Sequence, residues 1–288
     1  MSTGANAAQQ EYWNSVAGPR WVGLAGYVEK RVERINDLLL ARSAVAPGEK
    51  VLEVGCGTGA ATVPLAEAVG DTGEVVGVDI SEPMLTTARE RISNSGLRNI
   101  TLLRADAQVQ TFEPERFDLI ASRFGVMFFA DPAAAFRNLM GASRRGGRLC
   151  FACWAGLEEN RHWLIPYEVA LRHLEPPAPK PPHAPGPMAF ADPEYLRSVL
   201  ERAGYQDIEI RRETPEIIGA SPKEEAEHAL IMGPSARLIE EKRPPENVRE
   251  LIKQEMMEAF AAYAKGGEMV LPSTIFLVTA RRAAAEIS

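Results

Sequence analysis

The chain has few cysteines and no long apolar run, and each shortage excludes a class of protein. Three cysteines among 288 residues are too few for a disulfide framework. No apolar run approaches the roughly 18 to 20 residues that a transmembrane helix needs. The N-terminal "MSTGANAAQQ" also lacks the basic and apolar regions of a signal peptide. We therefore expect a cytoplasmic protein that has no membrane partner.

The chain also has fewer basic than acidic residues. Lys and Arg number 32 against 39 Asp and Glu, which gives a formal net charge of −7 and a pI near 5.4. That balance argues against nucleic acid or an anionic membrane as the main partner. We expect a small-molecule partner, while an oligomer is compatible with the sequence but not indicated by it.

Cys150 and Cys153 have the C-x-x-C spacing of some metal and redox sites. They lie in "GRLCFACW", however, a stretch typical of a buried strand. Side chains alternate across a strand, so residues three apart point to opposite faces. We interpret the pair as structural, and no cluster of carboxylates or histidines predicts a metal site.

Strand and helix patterns alternate through the middle of the chain. The predicted strands are "KVLEV", "GEVVGVDI", "NITLLRAD", "FDLIASRF" and "GRLCFACW". Helices are predicted between them, one capped by Ser81 and another starting at Asp131 and Pro132. Apolar strands joined by helices indicate a parallel sheet that is covered on both faces. Before the first strand, "VEKRVERINDLLLARSAV" has a helical period.

The regular alternation ends after Trp154, where a proline-rich connection, "EPPAPKPPHAPGP", follows a helix-like segment. We predict one integrated domain with inserted segments. Its parts are an N-terminal helical cap (1–48), a core that bears a cofactor (49–155), two lid insertions with helical segments (156–190 and 215–270), and a helix and strands that complete the sheet (191–214 and 271–283).

The stretch "VLEVGCGTGAAT" places a glycine turn between a strand and a helix. Glycines let the backbone approach a ligand closely, and the helix N-terminus offers N–H groups. Read from Gly55, the turn is a permitted form of the dinucleotide fingerprint. Read from Glu53, it has the acid-x-Gly-x-Gly-x-Gly form associated with S-adenosyl-L-methionine (SAM). Asp79 suits the ribose hydroxyls of either cofactor and does not decide between them.

Three features favour SAM. Gly59 adds a third alternate glycine, which the methionine chain of SAM can approach without a pyrophosphate. Glu53 would be unfavourable beside a pyrophosphate but suits a cationic amino group. Asp106, in "ADAQ" after the third strand, is placed to accept from the exocyclic amine of adenine, although a helix cap is the alternative.

From residue 50 to residue 154 the chain resembles a class I SAM-dependent methyltransferase, in the small-molecule group that includes the ubiquinone and menaquinone biosynthesis methyltransferases. The motifs that carry the resemblance are "VLEVGCGTG", "VVGVDISEPML", "RADAQ", "FDLIASRFGVMFFADP" and "GGRLCFACW". "RRGG" replaces the Pro-Gly-Gly of many relatives, which we expect to affect only a turn. The resemblance implies an α/β fold with a Rossmann-like, doubly wound, seven-stranded sheet and helical lid insertions. "DIEIRRE" and an antiparallel "IFLVTARR" would be its last two strands.

The resemblance also implies roles for individual residues. Gly55, Gly57 and Gly59 would line the methionine part of SAM. Glu53 would support its amino end, and Asp79 would hold the ribose. The other implied SAM contacts are Ile80 and Met84 on the adenine, Asp106 with the Ala107 amide at the adenine edge, Ser122 at the amino-acid end, and Trp21 as a lid. An aromatic anchor for the first helix is the alternative for Trp21.

Methyl transfer from a sulfonium is a direct displacement, so the protein chiefly aligns donor and acceptor in a dry cavity. An O or N acceptor can need a base. His162, just after the fifth strand, is the candidate, and a solvated loop histidine is the alternative. Arg123 would bind an anionic acceptor or be a surface or helix-packing arginine. Phe124 and Met127 would line an apolar acceptor pocket or belong to the core.

The sequence thus predicts a SAM-dependent methyltransferase (EC 2.1.1 class) that acts on an O, N or C atom of a small, partly apolar molecule. A nicotinamide-dependent oxidoreductase and a non-catalytic SAM-binding protein remain alternatives. A protein substrate is a further option, against which the extensive lids argue.

Overall fold

A computed structural model describes residues 4, 6–265 and 268–284, so parts of the predicted cap (1–48) and lid (215–270) lie outside the described residues. The helices are α1 (Ala7–Ser15), α2 (Ala17–Gly23), α3 (Ala25–Arg31), α4 (Glu33–Ser43), α5 (Thr62–Val69), α6 (Glu82–Ser95), α7 (Pro132–Ala142), α8 (Arg161–Leu171), α9 (Pro193–Ala203), α10 (Pro222–Ala229), α11 (Gly233–Lys242) and α12 (Glu246–Ala261). The strands are β1 (Lys50–Val54), β2 (Glu74–Asp79), β3 (Ile100–Arg104), β4 (Phe117–Arg123), β5 (Ser143–Trp154), β6 (Gln206–Glu213), β7 (Glu216–Gly219), β8 (Ala264–Lys265), β9 (Glu268–Pro272) and β10 (Ile275–Arg281).

A seven-stranded sheet has the order β3-β2-β1-β4-β5-β10-β6. Strands β1 to β5 pair in parallel, whereas β10 runs antiparallel to both β5 and β6. Most residues of β1 and β2 are buried, as expected for strands covered by helices on both faces. The predicted doubly wound α/β sheet with an antiparallel last strand is confirmed.

The strand order reverses between β1 and β4, and ligands of such sheets bind at this point, beyond the carboxyl ends of the strands. Here the turns after β1 and β4 touch backbone to backbone. Gly55 has a φ of +68°, and a Cβ placed on it would lie 2.6 Å from the Gly125 Cα. The position therefore requires glycine for packing as well as for conformation.

The N-terminal region is helical, as predicted, but it is divided into short segments. The predicted continuous helix from Val28 onward is interrupted at Val32, which separates α3 from α4. Helices α1 and α2 turn back against the start of α6. Gly18 permits this contact, because a Cβ there would lie 2.1 Å from the Trp13 carbonyl oxygen and 2.5 Å from the Ser81 Oγ.

Ser81 occupies the N-cap position of α6, but the predicted side-chain cap is wrong. Its hydroxyl donates to the Trp13 carbonyl oxygen at 2.9 Å. The Asn14 side chain accepts from the Glu82 N–H at 3.0 Å and so satisfies the first turn of α6. The cap is therefore supplied by the N-terminal helices and not by the adjacent residue.

The insertion predicted at 215–270 contains a three-stranded antiparallel sheet, β7-β9-β8, besides its helices. Strands of two to five residues are too short to show a period of two. The expected turn at residues 144–147 is also wrong, since these residues belong to β5, with a register shift against β4.

Cys150 and Cys153 are free and buried within β5. Burial raises the pKa of Cys150 to about 11, so its thiol is unreactive at neutral pH. The described residues hold no group of three or more His, Cys, Asp or Glu side chains suited to a metal ion. None of the helices in the described part of the chain has both the length and the apolar character needed to cross a bilayer.

Candidate cofactor and acceptor site

A cavity of about 210 Å³ lies beyond the carboxyl ends of β1, β2 and β4. Its wall combines the turns after these strands with helices α1 to α3, α8 and α10. The predicted site residues in this wall are Trp21, Gly55, Gly57, Asp79, Ile80, Met84, Asp106, Ala107, Arg123, Phe124, Met127 and His162. Glu53, Gly59 and Ser122 do not line it. The fold therefore brings twelve of the fifteen predicted residues to one cavity.

Asp79 ends β2 and fixes the glycine turn. Its Oδ2 accepts from the Gly57 N–H at 2.9 Å, and its Oδ1 accepts from the Ser81 N–H at 2.8 Å. Burial raises the pKa of Asp79, while these two bonds oppose the rise. A carboxylate has about four acceptor sites, so both oxygens can still accept from hydroxyl groups in the cavity.

Asp106 lines the cavity and also caps a turn. Its Oδ1 accepts from the Gln108 N–H at 2.9 Å and from the Asn6 side-chain amide at 2.8 Å. Within the described residues, its Oδ2 accepts from no protein group. The Asn6 side-chain Oδ1 in turn accepts from the Ala130 N–H at 2.7 Å. Asn6 was not predicted, because it lies 100 residues before its partner and has no motif around it.

Glu53 lies beneath the glycine turn with 2% of its surface exposed. Its Oε2 accepts from the Thr62 hydroxyl at 2.5 Å. Burial raises the pKa of Glu53 to about 7, and the Thr62 bond and the charge of Arg123 limit the rise. This placement does not support a direct contact between Glu53 and SAM, but it puts an ionisable group directly under the turn.

Ser122 and Gly59 also act from outside the cavity. The Ser122 hydroxyl donates to the Val54 carbonyl oxygen at 2.7 Å and accepts from the Gly125 N–H at 3.1 Å. The predicted contact of Ser122 with SAM is not supported, because this hydroxyl joins β1 to the turn after β4. Gly59 faces α6, where an added Cβ would lie 3.3 Å from the Ala88 Cβ.

Arg123 lines the cavity and is partly buried, so the alternative of a surface arginine is not supported. Burial lowers its pKa, and the negative charges of Glu53 and Glu29 oppose that effect. Glu29, on α3, accepts from the Thr58 hydroxyl at 2.8 Å and from Arg91 at 2.6 Å. Glu29 thereby joins the N-terminal helices to the glycine turn, a contact that no local pattern predicted.

Aromatic side chains from the N-terminal helices cover part of the cavity. The Trp13 ring lies 6.1 Å from the Trp21 ring and 5.1 Å from the Phe128 ring, measured between centroids. All three residues line the cavity. Trp21 therefore belongs to an aromatic anchor and faces the cavity as well, so its role as a lid stays a prediction.

The wall after β4 and β5 is also aromatic. Phe124 has a φ of +67°, a strained conformation for a side chain of this size. It stacks on Trp154 with centroids 4.4 Å apart and an interplanar angle of 4°. The Trp163 ring lies 4.8 Å from Trp154. Met127 is 2% exposed and contributes both to the core and to the cavity wall.

His162 lies in the first turn of α8 and is 3% exposed, so the alternative of a solvated loop histidine is wrong. Its ring lies against Trp154 and Trp163, and its buried Nδ1 has no protein partner among the described residues. Burial, and then the charge of Arg31, lowers the pKa of His162 well below its usual value. The imidazole is neutral at physiological pH, and its Nδ1 faces no competing protein donor.

Among the polar residues of the cavity wall, Tyr27 and Arg31 of α3 and Glu225 of α10 were not singled out from the sequence, and His228 of α10 was given no role there. Arg31 and Glu225 form an ion pair whose side chains are 11% and 2% exposed. These residues are about 200 positions apart in the chain. No local pattern connects them, although a His and a Glu three residues apart on a helix could have drawn attention.

Comparison with known proteins identifies the central part of this fold. Residues 51–147 match the methyltransferase domain family. The chain is 40% identical over 104 residues to aklanonic acid methyltransferase DauC of Streptomyces sp. strain C5, covering 36% of this chain and 47% of the relative. A demethylmenaquinone methyltransferase of Bacillus cereus is 36% identical over 105 residues, with coverages of 36% and 44%. The chain thus spans about half the length of these two relatives.

A third relative is matched over most of its length. Nocamycin O-methyltransferase of Saccharothrix syringae is 27% identical over 261 residues, covering 86% of this chain and 89% of the relative. Among solved structures, the YcgJ protein of Bacillus subtilis has a TM-score of 0.57 at 14% identity, covering 88% of this chain and 100% of that one. The [4+2]-cyclase SpnF has a TM-score of 0.53 at 18% identity, with coverages of 88% and 81%. At such identities these likenesses concern the fold alone.

The sheet and its strand-end acids define a Rossmann-like α/β protein with a candidate cofactor site at the switch in strand order. More particularly, residues 51–147 are a class I SAM-dependent methyltransferase domain. The resemblance seen in the motifs is thereby confirmed, and so is SAM as the cofactor of this domain.

Proposed function

We propose that the protein transfers a methyl group from SAM to an O, N or C atom of a small, partly apolar molecule held in the lidded cavity. The observation that carries this proposal is one cavity that joins Asp79 and Asp106 to the rings of Trp154 and Trp163. Donor and acceptor would share one enclosed space, as a direct displacement requires. The names of the relatives, which act on aklanonic acid, nocamycin and demethylmenaquinone, support an acceptor of this size.

The residues present fit SAM. Asp79 keeps acceptor sites for the two ribose hydroxyls, and Asp106 has one carboxylate oxygen without a protein donor for the adenine amine. The remaining proposed contacts are Ile80, Met84 and the Ala107 amide for the adenine, Gly55 and Gly57 for the methionine chain, and Trp21 as cover.

We assign Arg123 to the amino-acid end of SAM and not to an anionic acceptor. It lies at the glycine turn, where the charges of Glu53 and Glu29 act on it. Its guanidinium suits the carboxylate of SAM, and Glu29 supplies a negative charge for the amino group. Glu53, Gly59 and Ser122 support this end from beneath.

When bound, SAM supplies a methyl carbon whose bond to sulfur breaks as the acceptor atom attacks it. The chain contributes alignment, exclusion of water and, for an O or N acceptor, a base. His162 would take the acceptor's proton at its unpartnered Nδ1. Phe124 and Met127 keep the surrounding wall apolar, so few polar groups compete for that proton.

Calorimetry with SAM and with NAD tests the cofactor, and a mass-shift screen against a metabolite extract tests the transfer. Binding of SAM together with a product heavier by one methyl group is expected. Binding of NAD instead would favour an oxidoreductase. Binding of SAM without any methylated product would favour a non-catalytic SAM-binding protein.

His162→Phe tests the base once an O or N acceptor is found. The loss of a general base lowers kcat by about 10² to 10⁴, while the Kd of SAM stays unchanged. His173→Phe is the matched control, because His173 does not line the cavity and is bonded to Glu255. Equal kcat values for His162→Phe and the unmodified protein would overturn the role of His162.

A further inference from the structure

A polar cluster of four residues lines part of the cavity wall: Tyr27, Arg31, Glu225 and His228. These residues come from α3 and α10 and not from the turns that follow the strands. Tyr27 and Arg31 lie one turn apart on α3, and Glu225 and His228 lie one turn apart on α10. The Tyr27 hydroxyl donates to the Glu225 Oε1 at 2.7 Å. The Arg31 Nη1 contacts the Glu225 Oε2 and the Tyr27 hydroxyl. The cluster is thus a buried network between two elements that cover the cavity.

Glu225 is fully engaged by the protein. Besides Tyr27 and Arg31, the Ala220 N–H donates to its Oε1 at 2.9 Å. The side chain also lies tightly against β7, since a Cβ on Gly219 would lie 2.6 Å from the same oxygen. Glu225 therefore neutralises the charge of Arg31 but has little capacity to bind a ligand itself.

Arg31 and His228 retain unused hydrogen-bonding groups beside the cavity. The Nε and Nη2 groups of Arg31 donate to no protein atom in the described part of the chain. The buried Nδ1 of His228 likewise has no protein partner among the described residues, and its ring lies 3.7 Å from the Tyr27 ring. Burial lowers the pKa of His228, Arg31 adds to this effect, and the carboxylates of Glu225, Glu224 and Glu227 oppose it. Neutral imidazole offers an acceptor beside guanidinium donors.

The unused groups of Arg31 and His228 indicate the chemistry of a ligand that would bind them. Leaving the buried Nδ1 of His228 unpaired is unfavourable, so a complementary ligand has one donor for His228. It also has one acceptor for the unused N–H groups of Arg31. An uncharged hydroxyl group provides both. A carboxylate provides no donor, and the positive charge that would favour it is already neutralised by Glu225.

We propose that Arg31 and His228 form a subsite for an uncharged hydroxyl group of the acceptor, at a part of the molecule other than the methylated atom. The acceptor body is apolar and planar, because the rings of Trp154 and Trp163 line the same cavity. This inference rests on the proposed methyl transfer, and it adds a specificity-determining pair to that function.

The test uses three probes that differ in one group: 2-naphthol, 2-methoxynaphthalene and 2-naphthoate. Each is titrated by calorimetry into the full-length protein saturated with S-adenosylhomocysteine at pH 7. We expect 2-naphthol to bind about tenfold more tightly than either of the others, which corresponds to one satisfied polar pair. Equal affinities, tighter binding of 2-naphthoate, or no binding of any probe to the loaded protein would overturn the subsite.

Variants test whether the preference for 2-naphthol depends on Arg31, Glu225 and His228. His228→Phe should bind 2-naphthol and 2-methoxynaphthalene equally, whereas the control His173→Phe should keep the tenfold preference. Glu225→Gln leaves the charge of Arg31 unpaired and should raise the affinity for 2-naphthoate about tenfold. If Glu225→Gln fails to fold, Arg31→Met combined with Glu225→Leu removes both charges together, which proteins tolerate better, and should abolish the preference for 2-naphthol.

The titration with S-adenosylhomocysteine separates the two proposals. Its failure to bind to the unmodified protein would count against methyl transfer itself. Normal binding together with an unchanged probe preference in His228→Phe would overturn the hydroxyl subsite alone.

Discussion

The proposed cofactor end and the proposed acceptor end of the cavity are built in different ways. At the cofactor end, Gly55, Asp79 and Asp106 lie at or just beyond the carboxyl ends of β1, β2 and β3, so the residue and its position are specified by the same short stretch. At the acceptor end, Arg31 and Glu225 meet only because α3 and α10 pack together. A site built on strand ends changes little when distant parts of the chain change, whereas a site built between helices depends on their packing.

The largest expected effect tests whether the acceptor end contributes to the stability of the fold without contributing to the binding of SAM. Glu225→Gln breaks a buried ion pair and should lower the free energy of unfolding by about 4 kcal/mol. Glu240→Gln, which breaks the exposed pair with Arg20, should have little effect. Urea unfolding measures both. Where Glu225→Gln still folds, its Kd for SAM should match that of the unmodified protein, and a large change in Kd would show that the two ends are coupled.

Gly55→Ala tests whether a change at the cofactor end lowers both stability and SAM binding. An L-residue at a φ of +68° is strained by about 1 to 2 kcal/mol, and the contact with the Gly125 backbone adds about 1 to 3 kcal/mol. We expect a loss of between about 2 and 5 kcal/mol in the free energy of unfolding, with loss of SAM binding.

Gly96→Ala is the control for Gly55→Ala. Gly96 has a φ of +74° but open space around it, so only the strain of about 1 to 2 kcal/mol remains. Equal unfolding free energies for the two variants would show that the contact between the turns after β1 and β4 does not constrain Gly55.

Glu53 makes the stability of the cofactor end dependent on pH. The pKa of Glu53 is raised from 4.5 to about 7 in the folded protein, so between these values the folded state holds a proton that the unfolded state has lost. Stability therefore falls as pH rises from 4.5 to 7, by about 3 kcal/mol from this group, and is constant above.

Glu53→Gln should remove that part of the pH dependence, measured by urea unfolding at pH 5 and pH 8. Glu67→Gln, at an exposed position of α5, should leave it in place. The same slope in Glu53→Gln and in the unmodified protein would contradict the raised pKa.

The smallest expected effect concerns Trp21, which belongs to the N-terminal helices and faces the cofactor end. Trp21→Ala should weaken SAM binding about tenfold through the loss of apolar contact, while Tyr12→Ala, at a residue that is 44% exposed, should leave the affinity unchanged. A lower Tm with unchanged SAM affinity in Trp21→Ala would show that Trp21 is only an anchor.

The sheet was predictable because its central strands are short apolar runs bounded by turn signals, and such runs fit few structures besides covered parallel strands. Strands β7 and β9 were not predicted, because they are only four and five residues long and lie in an insertion whose other patterns are helical. Ser81 shows a further limit: a residue in the N-cap position binds whichever group the fold places nearest, here the Trp13 carbonyl.

The same reasoning explains which site residues were found. Asp79 and Asp106 lie at the ends of predicted strands, where parallel topology places ligands. Glu29, Asn6 and Glu225 lie within helices or at a helix start, and their function depends on partners 29 to about 200 residues away. Such pairs leave no periodic or spaced pattern in one sequence.

The bonds of Asn6 have a consequence for how the protein is made. Asn6 is translated well before its partners Asp106 and Ala130, which follow 100 and 124 residues later. Arg20 is separated by 220 residues from its partner Glu240. The segment around Asn6 and Arg20 therefore completes its contacts only after residues up to Glu240 have been translated, and the cavity gains this cover late in synthesis.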